Sequence, residues 1–267
     1  MFDWVKRLYQ GAAKVDVDEA QWQSVERELD FLAFLPREAI DAARQIALSF
    51  LKHKEFYGAN GLALDDRMML SIALQASLPV LRLGGDAYRG WVGIVVYPGD
   101  FVARRREMGP DGVVHEFDDT LLGEARSDGP VLLSWFDVAN RPHGVNVVIH
   151  EFAHKLDMLN GDVDGLPALP PDMQPAAWAA AFAPAYEDFC RRIDLGEHTA
   201  IDPYASESPA EFFAVSAEAF FLTPLRLQSD YPQVYSQLSM LFGVDPAQGE
   251  ARLMRERWLS KHQVNRE

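Results

Sequence analysis

The chain has 267 residues, 25 Lys+Arg against 40 Asp+Glu for a formal net charge of -15, and a hydrophobic content of 48%. That balance belongs to a chain that folds around an apolar core and not to a disordered tail. With no basic block longer than Arg104-Arg105-Arg106, it excludes a protein whose main task is to neutralise nucleic-acid phosphates or an anionic membrane.

The first ten residues, MFDWVKRLYQ, carry an acid at Asp3 and scattered apolar positions, unlike the basic start and unbroken apolar stretch of an export signal. From Asp18 to Leu35 the apolar residues Trp22, Val25, Leu29 and Leu32 recur at helical spacing, predicting one helix that ends before Pro36. A second helix is expected from Arg37 to about Lys54 with Ile40, Ile46, Phe50 and Leu51 inward. A third, capped by Asp65 or Asp66, runs to about Ser77. The runs Trp91 to Tyr97 and Val131 to Trp135 are β-branched or aromatic and bounded by Gly, Pro and Asp, so they read as strands of a small central sheet. A helical pattern returns from Val145 to Asn160 and stops at Asn160-Gly161-Asp162. Helices over Pro175 to Ile193 and Pro209 to Leu222 precede a C-terminal helical region.

The expected fold is therefore α+β, mostly helical, with a small central sheet. No repeat or Gly/Ser linker divides it, so 1–267 is expected to be one domain: an N-terminal helical part over about 1–80, a core over about 81–242 and a helical tail over 243–267. The longest uncharged runs, such as Met68 to Leu81, have 14 residues, short of the roughly 20 that span a bilayer. The lone cysteine, Cys190, forbids an intrachain disulfide and fits a reducing compartment.

The chemistry concentrates in His150-Glu151-Phe152-Ala153-His154, an HExxH segment behind the apolar lead Val145, Val147, Val148 and Ile149. Residues four apart on a helix lie one turn above each other, so both imidazoles reach one divalent ion, zinc being the best match. Glu151 is turned about 100° from His150, beside the ion and suited to act as base for a zinc-bound water. A third ligand is needed. A histidine ten residues after the first is absent, since that position is Asn160, and position 157 is Asp157 instead of the glycine of that peptidase class. The segment Ser208 to Glu218 offers two carboxylates, Glu211 and Glu218, seven apart on one face. Ser208 with Glu211 also reads as a capping box behind Pro209, so spacing alone leaves Glu211 between cap and ligand. Glu218 sits among Val215, Phe220 and Phe221, where an unpaired carboxylate is costly; it requires a partner, as ligand or in support of one.

The segments HEFAHKLDMLNGD and IDPYASESPAEFFAVSAEAFF resemble the Mlc titration factor A (MtfA) family, cytoplasmic zinc metallopeptidases of gluzincin type, and the likeness in length and layout extends over essentially the whole chain. The resemblance implies a zincin-like fold with one zinc ion on His150, His154 and Glu211, with Glu151 as catalytic base. It also implies that Tyr204 of IDPY is an electrophilic partner to the oxyanion and that Glu218 supports the site. Aminopeptidase-like hydrolysis of peptides or aminoacyl amides follows from the same resemblance. So does a rival reading, a regulator that sequesters the glucose-responsive repressor Mlc and whose zinc site is regulatory or vestigial.

Other polar residues stand outside these segments. Asp157 shares the stripe of the two histidines and suits orienting an imidazole, or simply ends the helix. His143 and His198 are candidate substrate contacts, while His53, His115 and His262 carry no motif. Arg191-Arg192 and Arg104 to Arg106 read as solvated faces, or as partners for a substrate carboxylate or an acidic protein, and the tail residues Arg252, Arg255, Arg257 and Trp258 carry no assignable motif.

Overall fold

The computed structural model describes residues 17–108, 114–127, 129–136, 144–199 and 201–263, with the backbone alone over 103–108 and 114–120 and at 263. His143 and the opening decapeptide lie outside the described residues, as do the side chains of Arg104 to Arg106 and His115. Among the described residues there are nine α-helices and six strands.

Asp18 caps α1 (Glu19–Glu28) in a capping box with Gln21. The single helix expected from Asp18 to Leu35 breaks at Leu29, and the chain continues as a 3-10 turn over Asp30–Phe34. The tighter turn has three residues per revolution, which brings Leu29, Leu32 and Leu35 to one side, all buried. Helix α2 (Arg37–His53) leads into β1 (Glu55–Gly58), an edge strand that the sequence pattern does not reveal. Helix α3 (Asp66–Ser77) is capped by Asp65, whose carboxylate accepts from the Met68 N–H at 2.7 Å.

Strands β2 (Gly93–Tyr97) and β6 (Val131–Ser134) are the two expected from the sequence. They pair in parallel with each other, and β1 joins β2 in parallel. Between them the chain forms a hairpin, β3 (Phe101–Met108) and β4 (Val114–Leu121), followed by the short β5 (Gly123–Ala125). In the hairpin register Arg104 stands opposite Asp118 and Arg106 opposite Glu116, so the arginine triplet belongs to a strand. The larger sheet has the order β1-β2-β6-β5 and is mixed, because β5 closes one edge antiparallel to β6.

The second half is helical: α4 (Val147–Asp157), α5 (Pro175–Asp194), α6 (Pro209–Leu222), α7 (Pro224–Asp230), α8 (Pro232–Phe242) and α9 (Pro246–Gln263). Helix α4 ends through a 3-10 turn, Met158–Asn160, into the left-handed Gly161. Helix α6 is buried on nearly every side, which is why it is apolar all round. Phe212 and Phe213 pack on Phe182 of α5, and Phe220 and Phe221 on Phe242 of α8. Helix α4 rests through Phe152 on Phe50, Tyr88 and Trp91, with ring centroids 5.5, 5.0 and 5.9 Å away. Each ring so buried stabilises the fold by about 2 kcal/mol. Helices α4 and α6 are thus held against each other, between β5 on one side and the aromatic core on the other.

Candidate metal centre

Asn146 starts α4 by accepting the Ile149 N–H at 3.0 Å. The helix then directs His150 and His154 toward Glu211 in the first turn of α6. The His150 and His154 Nε2 atoms are 3.1 Å apart, and Glu211 Oε2 lies 3.1 Å from the former and 3.3 Å from the latter. Four-coordinate zinc with bonds of about 2.0–2.1 Å requires ligand atoms roughly 3.3–3.4 Å apart, so the triangle has close to the dimensions a small divalent cation needs. These three residues form the group of His, Cys, Asp or Glu side chains able to hold a metal ion among the described residues.

Spacing left Glu211 between cap and ligand, and the geometry divides the two roles. Ser208 Oγ accepts the Glu211 N–H at 3.1 Å and caps α6, while the Glu211 carboxylate turns to the imidazoles instead of back to the cap.

Glu218 has the partner its burial demanded. Its Oε1 is 2.8 Å from His150 Nδ1, and its Oε2 accepts the Asn146 N–H. The Asn146 amide in turn donates to Gln75 Oε1 of α3 at 2.8 Å. This buried chain from α3 through the start of α4 to α6 places the His150 proton on Nδ1 and leaves the Nε2 lone pair for a cation. Glu218 supports a donor and is not itself part of the triangle. Asn146 and Gln75 were not foreseen; the only sequence signal was an Asn immediately before a helical run.

Burial works to lower the His150 pKa, but the adjacent Glu211 and Glu218 outweigh it and hold it well above 6.5. Burial works to raise Glu211, yet hydrogen bonds from both imidazoles pull it down to about 2. Two imidazole nitrogens and a carboxylate oxygen at these separations are a donor set that fits a small divalent cation.

Glu151 is buried and flanks the triangle against β5. A Cβ at Gly123 would overlap its carboxylate, so glycine is what lets β5 approach. Burial raises the Glu151 pKa above that of an ordinary carboxylate, opposed by the two imidazoles and by the Ala125 N–H, which makes it a stronger proton acceptor than an exposed carboxylate.

A cleft of about 450 Å³ opens beside these groups, lined by Gly123, His150, Glu151, Tyr204, Glu207 and Glu218 among others. Tyr204 stands on the 3-10 turn Pro203–Ser206, which Asp202 caps, with its ring centroid 6.1 Å from that of His150. His198 and His53 lie away from the cleft lining, and the His198 carbonyl accepts from Arg192 at 3.0 Å. Arg191 pairs with Asp188, and Arg192 with Glu197 and Asp230.

Comparison with known proteins adds a decisive match: residues 3–243 fit the family described as glucose-regulated metallo-peptidase M90. The chain belongs to that metallopeptidase family. The chain is also similar to Mlc titration factor A of Serratia proteamaculans, 35% identical over 267 residues covering 96% of this chain and 98% of that protein. The protein of the same name from Pectobacterium atrosepticum is 36% identical, covering 84% of this chain and 86% of its own. That of Salmonella arizonae is also 36% identical, over 79% and 86%. M90 membership accords with the donor triangle. No helix among the described residues is long and apolar enough to cross a membrane.

Proposed function

We propose that this chain is a zinc-dependent peptidase of the gluzincin type, with a zincin-like fold, that hydrolyses peptide or aminoacyl amide bonds in the cytoplasm. The observation that carries the reading is the donor triangle with a proton-accepting carboxylate beside it: His150, His154 and Glu211 would hold the ion, and Glu151 flanks it under β5. When bound there, zinc supplies Lewis acidity for a carbonyl and for water. Glu151 takes the proton of the attacking water and delivers it to the leaving amine, a double role suited to a buried carboxyl of raised pKa. Tyr204, on the rim of the same cleft, donates to the developing oxyanion. Glu218 and Asn146 keep His150 in one tautomer, and Gly123 lets β5 pack against Glu151 without pushing its carboxylate aside.

Aminopeptidase-like selectivity has support in charge. Among the described residues the cleft lining includes the exposed Asp202 and Glu207 and no lysine or arginine, a field that favours a cationic substrate terminus. The test is a panel of aminoacyl chromogenic amides assayed with and without chelator. Turnover that chelation abolishes and zinc restores is the expected result; stoichiometric zinc without turnover overturns it.

A second reading rests on the relatives' name, Mlc titration factor A: a protein that binds the repressor Mlc. An acidic chain of net charge -15 would be steered to a basic DNA-binding protein. Binding of purified Mlc by zinc-free protein, with no turnover in the panel, favours that role over the enzyme.

A further inference from the structure

Two buried polar atoms beside the triangle lack hydrogen-bond partners among the described residues: Nδ1 of His154 and Oδ1 of Asp157. They stand three residues apart on α4, on the same face of the helix. A histidine that gives its Nε2 lone pair to a cation carries its proton on Nδ1, and that proton needs an acceptor. Asp157 is fully buried and carries an unused oxygen on that stripe, although the two atoms are not hydrogen-bonded to each other in the structure.

Its other oxygen is committed. Asp157 Oδ2 accepts the Gly165 N–H at 2.9 Å, and the Gly165 carbonyl accepts the Trp178 indole N–H at 2.9 Å. The Gly165 peptide is therefore gripped from both sides. Gly165 has a φ of +83°, and a Cβ there would overlap the carbonyl of Pro209. Pro209 is the first residue of α6, two before Glu211. The strap of Asp157, Gly165 and Trp178 consequently sets where the first turn of α6 lies.

We propose that Asp157 is a positioning residue for two of the three metal donors: its Oδ1 takes the His154 Nδ1–H once Nε2 is given to a cation, and it seats Glu211 through Gly165 and Pro209. This rests on the metal-centre reading above. It gives each histidine its own supporting carboxylate: Glu218 for His150, from the neighbouring helix, and Asp157 for His154, from the same helix.

The test compares the wild-type chain with Asp157→Asn, Asp157→Ala and Gly165→Ala. Zinc affinity is measured by competition with a chromophoric chelator, and ligand geometry by the visible spectrum of the Co2+-substituted protein. Asparagine keeps an oxygen for the Gly165 N–H and removes the carboxylate charge, so it remains informative if the alanine variant fails to fold. The expected result is a zinc Kd raised tenfold or more in Asp157→Asn, with a shifted cobalt spectrum, and a weaker site again in Gly165→Ala. Wild-type Kd and spectrum in Asp157→Asn overturn the proposal. A wild-type chain that binds neither metal overturns the metal-centre reading itself, and the proposal with it.

Discussion

Glu218 of α6 meets His150 of α4 across 2.8 Å at Nδ1, and this contact decides which imidazole nitrogen faces the donor triangle. Replacing Glu218 by alanine strands a buried Nδ1–H and frees the ring to turn. Zinc affinity is expected to fall about 10- to 100-fold, measured by chelator competition, with glutamine recovering part of the loss. Unchanged affinity in the alanine variant would mean that the contact is incidental.

Gly123 is the second sensitive point. A methyl group there collides with the Glu151 carboxylate, so Gly123→Ala must push either β5 or the carboxylate aside. Zinc content should stay at the wild-type level while kcat drops about tenfold or more, as expected when a reacting group is displaced by about 1 Å. A drop in zinc content with kcat per bound zinc unchanged would instead place Gly123 in support of the metal donors.

Protons and metal compete for the triangle, and the shifts give the sign. His150 is raised well above 6.5 because Glu211 and Glu218 outweigh a burial effect that would lower it. Its contribution to the metal-free fold is complete below 6.5 and is lost as pH rises through the raised value. Glu211 is depressed from 4.5 to about 2, where the imidazoles outweigh burial; its contribution is present above 4.5 and lost as pH falls toward about 2. Metal binding displaces the His150 proton, so affinity rises with pH. The gap in Tm between zinc-loaded and chelated protein should widen as pH climbs above 6.5. A gap that stays flat or narrows there would argue against His150 as a ligand.

Phe152 carries the mechanical load under the two histidines, wedged among Phe50, Tyr88 and Trp91. Phe152→Ala leaves a cavity in the aromatic core and should cost about 3–5 kcal/mol of stability in denaturant unfolding. A loss below about 1 kcal/mol would show that α4 is held by other contacts.

Much of this was legible in the residues, and the gaps have physical causes. The stripe of α2, the Asp65 cap and the bounds of α6 follow from apolar spacing and proline placement. The HExxH pair with Glu211 comes from spacing joined to family resemblance. Other features were hidden. The hairpin carries Arg104 to Arg106 in sequence, and charged residues paired across two strands leave no apolar alternation to detect. β5 has three residues, too few to show any period, although it is the strand that confines Glu151. The continuous stripe from Trp22 to Leu32 suits an α-helix and a 3-10 turn equally, so the break at Leu29 is invisible. Buried polar partners such as Asn146 and Gln75 are set by tertiary packing and have no local signature.

The most direct test of the central claim, that Glu151 works as the base beside a metal held by His150, His154 and Glu211, is Glu151→Gln assayed for zinc content and hydrolysis together. The account predicts stoichiometric zinc with hydrolysis of an aminoacyl amide reduced about 10²- to 10⁴-fold. Hydrolysis at the wild-type rate with zinc in place would contradict it.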